Sequence, residues 1–200
     1  GDNVLIQITQ AMAGAGAGNI YLSPAPLYHA APLRWCMTFT RLGATLVIME
    51  KFDPEAFLDC VQTHKATHTQ MVPTMFVKLL KLPEEVRKSY DVSSLEFVIH
   101  AAAPCPVPVK EQMIDWWGPV FWESYGATEI GFMTMVSSAD ALARPGTAGR
   151  MQMGGTLMIL DPDGNELPAG QVGEIYARMD AFGGFDYSND PESRASSEKH

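Results

Sequence analysis

The chain has 200 residues, 46% hydrophobic and 18% charged, a globular balance that excludes a disordered polyelectrolyte. Fourteen basic residues against twenty-three acidic ones give a net charge of −9. That disfavours nucleic acid as a partner but leaves open a nucleotide pocket set by a few local groups. The longest stretch without Asp, Glu, Lys or Arg, Asn3 to Leu33, is broken by Gly14, Gly16, Gly18, Pro24, Pro26 and Pro32, so no transmembrane segment is expected. The opening Gly1-Asp2 has neither a Met nor a basic-then-apolar leader and reads as the start of an excised piece of a longer chain. Cys36, Cys60 and Cys105 fit no disulfide or zinc spacing and have apolar flanks, which points to reduced, buried thiols and a cytoplasmic location.

In chain order, Asp2 to Met12 suits a helix with Asp2 or Asn3 near its N-cap, and Ala13 to Gly18 a flexible loop. Ile20–Ser23 is a short buried strand stopped by Pro24. Tyr28 to Leu42 has helical length, Gly43 punctuates it, and Ala44–Met49 is a continuous apolar strand of the parallel-sheet kind. Asp53-Pro54-Glu55 opens a helix that carries Phe57, Leu58 and Val61. Thr67–Val72 is a strand, and Pro73 starts a helix with Met75, Phe76, Leu79 and Leu80. Leu95–Ile99, a helix from Pro106 to Trp117 and a strand at Val120–Trp122 continue the alternation. Such repetition predicts an α/β fold, a mostly parallel sheet with flanking helices. After about residue 143 the turns Asp161–Gly164 and Pro168–Gly170 separate apolar runs at Leu157–Leu160 and Val172–Met179, which reads as antiparallel hairpins. The expected division is therefore an α/β part at 1–142 and a small β-rich part at 143–200, with a loop-like tail from Asp186 to His200.

Two segments carry chemistry. The strand ending at Trp122 leads into Tyr125-Gly126-Ala127-Thr128-Glu129, at a strand end where open α/β sheets bind ligands. A flat aromatic ring, a glycine that admits a ligand to the backbone, a hydroxyl and a carboxylate suit a planar base, a phosphate oxygen and a divalent cation. The same pentapeptide also suits a loop whose Tyr packs and whose Glu is solvated. A second loop, His100-Ala101-Ala102-Ala103-Pro104, has small side chains that leave room for a flat ring, although a tight strand-to-helix connection would look alike. Together they suggest a slot with Tyr125 on one side and Ala102 and Ala103 on the other.

On these segments the chain resembles the adenylate-forming enzymes: acyl- and aryl-CoA synthetases, luciferases and the amino-acid-activating domains of peptide synthetases. Ser23-Pro24-Ala25-Pro26-Leu27-Tyr28-His29 is similar to the Pro-Leu-Phe/Tyr-His segment beside the acid tunnel, and Ala101-Ala102-Ala103-Pro104 to the Gly-Ala-Ala-Pro adenine loop. Tyr125–Glu129 is similar to the Tyr-Gly-x-Thr-Glu signature, Gly173-Glu174-Ile175 to a later Gly-Glu-Ile/Leu strand, and Phe185-Asp186-Tyr187 with Asp190-Pro191-Glu192 to the stretch after it. The resemblance covers nearly the whole chain, as part of the family's large N-terminal domain.

The resemblance implies that Tyr125 stacks on adenine, with Ala102, Ala103, Pro104 and Gly126 completing the nucleotide site. It implies that Thr128 bonds the α-phosphate, that Glu129 ligates magnesium, and that His29 stands at the acid tunnel. Taken alone, His29 also suits a core histidine bonded to backbone. The implied cofactors are ATP/AMP, magnesium and coenzyme A, and the implied partners are a small-molecule carboxylic acid and the remaining domains of the parent chain. The implied reaction is ATP-dependent conversion of the acid to acyl-AMP and then to acyl-CoA. A fatty acid is expected from the apolar Leu27, Trp35, Phe132 and Met133, with an aryl acid of the 4-coumarate type as the alternative.

The departures are as plain. Ala101 replaces the usual Gly, and no Pro-Lys-Gly phosphate loop, Thr-Gly-Asp or C-terminal catalytic Lys is present in the 200 residues. The isolated chain is therefore expected to be inactive, and a non-catalytic adenylate-binding module is the rival function, with a purely structural domain behind it. His64 and His68 are not expected to share a metal, because Ala66-Thr67 ends the helix between them, and Trp116-Trp117 with Met113 read as core.

Overall fold

A computed structural model describes residues 4–151, 154–179, 185–196 and 198; the expected N-cap at Asp2 or Asn3 lies outside them. The elements are α1 (Val4–Ala13), β1 (Ile20–Ser23), α2 (Ala30–Arg41), β2 (Thr45–Ile48), α3 (Pro54–His64), β3 (His68–Met71), α4 (Pro73–Leu80), α5 (Glu84–Lys88), β4 (Phe97–His100), α6 (Val107–Trp117), β5 (Phe121–Ala127), β6 (Gly131–Ser137), α7 (Ser138–Ala143), β7 (Arg150–Met151), β8 (Thr156–Leu160), β9 (Glu174–Arg178) and α8 (Pro191–Ser196). A seven-stranded sheet runs β2-β1-β3-β4-β5-β6-β7, and β8 with β9 forms a separate antiparallel pair. The first five strands are parallel, while β6 and β7 are antiparallel, so the fold is the expected α/β with a mostly parallel sheet.

The alternation along each strand assigns the two faces. Leu22 and Val98 point to a core with Phe57, Leu58 and Val61 of α3, Phe76 and Leu79 of α4, and Met113 and Trp117 of α6. Tyr21, Phe97 and Ile99 point to the opposite core with Trp35, Cys36 and Phe39 of α2. Strands covered on both faces favour apolar residues, yet β3 and β4 bury all eight of theirs, the polar His68, Thr69, Gln70 and His100 included. His68 is admitted to β3 because its Nε2 meets Ala13 O at 2.7 Å and its Nδ1 meets Thr67 Oγ1 at 2.7 Å. That strand position separates it from His64, the last residue of α3.

Both ends of α3 follow the sequence closely. Asp53 Oδ1 accepts from Glu55 N at 3.1 Å and Ala56 N at 2.9 Å, capping α3 just before Pro54. Lys65 closes α3 in the left-handed region, φ 53°. Aromatic contacts tie the helices of the first core to the sheet: Phe57 stacks on Trp117 at 5.9 Å, Trp117 on Phe121 at 5.6 Å, and Phe76 meets Phe121 edge-on at 5.5 Å.

Four expectations change. β2 is an apolar parallel strand, but it is the sheet's edge, and Ile48 is 51% exposed. The strand after Leu95 starts two residues later and takes in His100, so the connecting loop begins at Ala101. The expected 120–122 strand extends to Ala127 and turns back as β6, an antiparallel partner hidden from sequence reading because 131–137 mixes strand and helix signals. In the tail, residues 191–196 form a helix where a loop was expected, since Asp190 accepts from Ser193 N at 3.0 Å and Ser193 Oγ at 2.7 Å.

Candidate functional site

Parallel strands deliver all their C-terminal ends to one edge of the sheet. The loops after β1 (24–29), β4 (101–106) and β5 (128–130) therefore share that edge, where ligands of open α/β sheets sit. Because β4 and β5 are hydrogen-bonded neighbours, with His100 opposite Glu123, the residues Ala102, Ala103 and Pro104 lie beside Tyr125–Glu129. The His29 loop is displaced by two strand positions from β4, about 10 Å at the usual strand spacing. The order β2-β1-β3 also makes β1 and β3 the point where the chain reverses its direction of winding, so the His29 loop borders the crevice such a reversal opens.

Local geometry explains each position. Ala102 is exposed with φ +73°, an uncommon backbone for a residue with a Cβ, and it bends the 101–104 loop so that Ala102, Ala103 and Pro104 all face solvent. Tyr125 is 41% exposed at the end of β5, so its ring is neither core nor free. Between Tyr125 and Gly126 the pairing with β6 slips by a residue, a bulge of the kind that re-aims side chains. A Cβ on Gly126 would stand 1.9 Å from Gly131 O. The glycine is thus required by the returning strand, a different reason from the ligand approach expected for it. Thr128 is exposed at the tip, and Glu129 is half-buried, its Oε1 accepting from the Tyr187 hydroxyl at 3.0 Å. That bond, first, then burial, raises the Tyr187 pKa, so the phenol stays protonated.

His29 is the N-cap residue of α2, extended at φ −81° and ψ 143°, with no side-chain cap bond. It is exposed and lies against Tyr28, ring centroids 4.4 Å apart, which removes the reading as a core histidine. Of the expected tunnel residues, Trp35 is buried against Phe39, Phe97 and Phe132, and Leu27 packs on the same core. Met133 is 5% exposed within β6.

Beneath the 101–106 loop lies a polar group that sequence reading missed. Lys110 of α6 pairs with Glu123 of β5, their side chains 10% and 15% exposed. His100 is fully buried, with Phe76 edge-on at 5.3 Å, and neither ring nitrogen has a hydrogen-bond partner among the described residues. Burial, and then the Lys110 charge, push its pKa down to about 3, so the imidazole is neutral. Burial likewise pushes the Cys105 thiol up to about 11, which leaves it unreactive. Spacing carried one signal for Lys110: it stands three, four and seven residues before the buried Met113, Ile114 and Trp117.

The donor set fits a hard cation that keeps substrate oxygens. Among the described residues no three His, Cys, Asp or Glu side chains cluster, so no all-protein metal cage exists there. A single half-buried carboxylate beside an exposed hydroxyl meets the needs of magnesium, which uses one or two carboxylates plus substrate phosphates.

A family model described as "AMP-binding enzyme" matches residues 2–182. 4-Coumarate–CoA ligase 1 of Oryza sativa subsp. japonica is 32% identical over 188 residues, covering 90% of this chain and 33% of the relative. Feruloyl-CoA synthase of an Amycolatopsis species is 32% identical over 156 residues, covering 77% of this chain and 31% of the relative. The solved amide bond synthetase McbA of Marinactinospora thermotolerans superposes with a TM-score of 0.85 at 28% identity, covering 96% of this chain and 39% of that one. The chain thus spans about a third of the length of the curated relatives it matches. Among the described residues no helix is long and apolar enough to cross a membrane.

Proposed function

The chain belongs to the AMP-binding enzyme family, and we propose that it forms the adenine and α-phosphate part of an ATP-dependent acid–thiol ligase. The observation that carries this reading is the juxtaposition of Ala102–Pro104 with Tyr125–Glu129 on adjacent strand ends of a parallel sheet. In this reading Tyr125 offers its face to adenine opposite Ala102 and Ala103, with Pro104 and Gly126 shaping the two walls. Thr128 donates its hydroxyl to an α-phosphate oxygen. Glu129 would hold magnesium, which supplies neutralisation of phosphate charge when bound.

The chemistry required is conversion of a poor electrophile into a good one. A carboxylate linked to AMP carries a stable leaving group, and CoA can then take the acyl group. The protein's part is to keep the carboxylate oxygen in line with the α-phosphorus and to offset the charge that develops. His29, two strand positions from the Ala102–Pro104 loop and three from the Tyr125–Glu129 loop, stands where the acid would lie. That spacing, about 10–15 Å, suits a ligand as long as a nucleotide joined to an acid.

An acid without an ammonium group is favoured, since Tyr28-His29 stand where amino-acid-activating domains carry Phe-Asp. The names of the relatives favour an aryl acid over the fatty acid expected from the apolar side chains, three of which pack into the second core. Three free cysteines, two of them buried, support a cytoplasmic location. For the 200 residues alone the reading is adenylate binding without synthesis; acid-dependent pyrophosphate exchange by this chain would overturn it.

The decisive experiment is acid-dependent pyrophosphate exchange by the full-length protein and its Glu129→Ala variant, with 4-coumarate and a long-chain fatty acid as substrates. Loss of a charge-stabilising group costs about a hundredfold or more in rate. An unchanged exchange rate removes Glu129 from the site, and faster exchange with the fatty acid reverses the order of the two acids.

A further inference from the structure

We propose that Tyr187 is a positioning residue for Glu129, holding one carboxylate oxygen so that the other is free for a divalent cation brought in on the nucleotide. The proposal rests on the reading of Glu129 as a cation ligand and names the residue that sets its orientation.

The contact joins segments far apart in sequence. The Tyr187 hydroxyl donates to Glu129 Oε1 at 3.0 Å across 58 residues, and Oε2 has no protein partner among the described residues. A carboxylate on the end of a flexible side chain samples several rotamers, and fixing it in one lowers the entropy lost when it ligates a cation. Since an ionised carboxylate has several lone-pair directions, a phenol on one oxygen leaves the second fully able to ligate.

Tyr187 is itself held by its segment. Asp190 N donates to Tyr187 O at 3.1 Å, and Asn189 takes a left-handed backbone, φ 62°, that turns the chain into α8. Arg194 Nε donates to Phe185 O at 2.6 Å, and its guanidinium lies 4.3 Å from the Phe185 ring centroid. Phe185 in turn meets Tyr187 edge-on at 5.4 Å. A short helix with its own N-cap thus presents one phenol to the turn between β5 and β6. A segment serving only as a tether would have no need to end on the one carboxylate of the Tyr125–Glu129 turn.

The test uses the full-length protein with Mn2+ as the spectroscopic stand-in for magnesium, bound in the presence of ATP and read by electron paramagnetic resonance. Tyr187→Phe, which keeps the ring and removes the hydroxyl, is expected to weaken Mn2+ binding about tenfold, the usual loss for a residue that orients a metal ligand. Its AMP affinity in metal-free buffer is expected to stay at the wild-type value. Glu129→Gln should weaken Mn2+ binding at least as much. If Glu129→Gln weakens Mn2+ binding and Tyr187→Phe does not, Tyr187 has no positioning role and Glu129 keeps its own. If Glu129→Gln leaves Mn2+ binding unchanged, the assignment of Glu129 fails and the role of Tyr187 with it. A parallel fall in metal-free AMP affinity for Tyr187→Phe would make the hydroxyl a structural tether and overturn the proposal.

Discussion

Within the large sheet, β3 and β4 bury every residue and are covered by helices on both faces, whereas the β8–β9 pair buries Leu160 and leaves Ile175 45% exposed. The first region is built by side chains seeking company across layers. The second is built by its turn: Asp161 Oδ1 accepts from Asn165 N at 2.8 Å, Gly164 takes φ +88°, and Leu167 N donates to Ile159 O at 2.7 Å. Asp161 is held below the usual carboxylate range by the Asn165 side chain first and by backbone N–H groups after it. Interior interactions therefore set the stability of one region and local chain geometry that of the other.

The largest expected test of that contrast is Lys110→Met. It strands Glu123 as a buried, unpaired charge and should cost about 3–5 kcal/mol in urea unfolding. Adding Glu123→Leu should recover most of the loss, because two apolar groups of similar size can replace a buried pair. A single variant within about 1 kcal/mol of wild type would show that water reaches the pair and that this interior is not closed.

A smaller, pH-dependent effect comes from histidines buried in the sheet. His100 is about 3 when folded against an ordinary 6.5, so below 6.5 the unfolded chain takes up a proton that the folded one refuses. Stability from this group is complete above pH 6.5 and declines as the pH falls towards 3, by up to about 1.4 kcal/mol per pH unit. His68, lowered by burial, acts in the same direction. Urea midpoints measured between pH 7 and pH 4.5 should fall, and His100→Leu should flatten the decline. An equal slope in that variant would assign the decline to other groups.

The smallest effect is expected in the hairpin. Ile175→Ala removes a side chain already 45% exposed and should change stability by less than about 1 kcal/mol. A larger loss in urea unfolding would mean that β9 is covered in solution by something that hides Ile175.

These regions also differ in how readily they are read from sequence. β1 and β4 were legible because double-sided burial writes itself as short apolar runs, and α3 because Asp53-Pro54 announces it. The hairpin was legible from Asp161–Gly164. What escaped were features that depend on a partner distant in sequence: β6 needs β5 opposite it, Lys110 needs Glu123, and Tyr187 needs Glu129. The two loops of the candidate site were picked out by their motifs, yet the packing reason for Gly126 was not legible, since only the folded hairpin brings Gly131 against it.

That close approach divides the candidate site into parts of unequal adaptability. No side chain fits at residue 126 without driving β6 off β5, and β6 also carries Met135 of the second core and pairs with β7. Change in the 125–131 turn is thus taxed by the whole antiparallel end of the sheet. The loop after β1 carries no such debt, with Tyr28 83% exposed and His29 beside it. A library meant to remodel this edge of the sheet should vary residues 26–29 and leave 125–131 alone, for the first can drift while the second must be inherited whole.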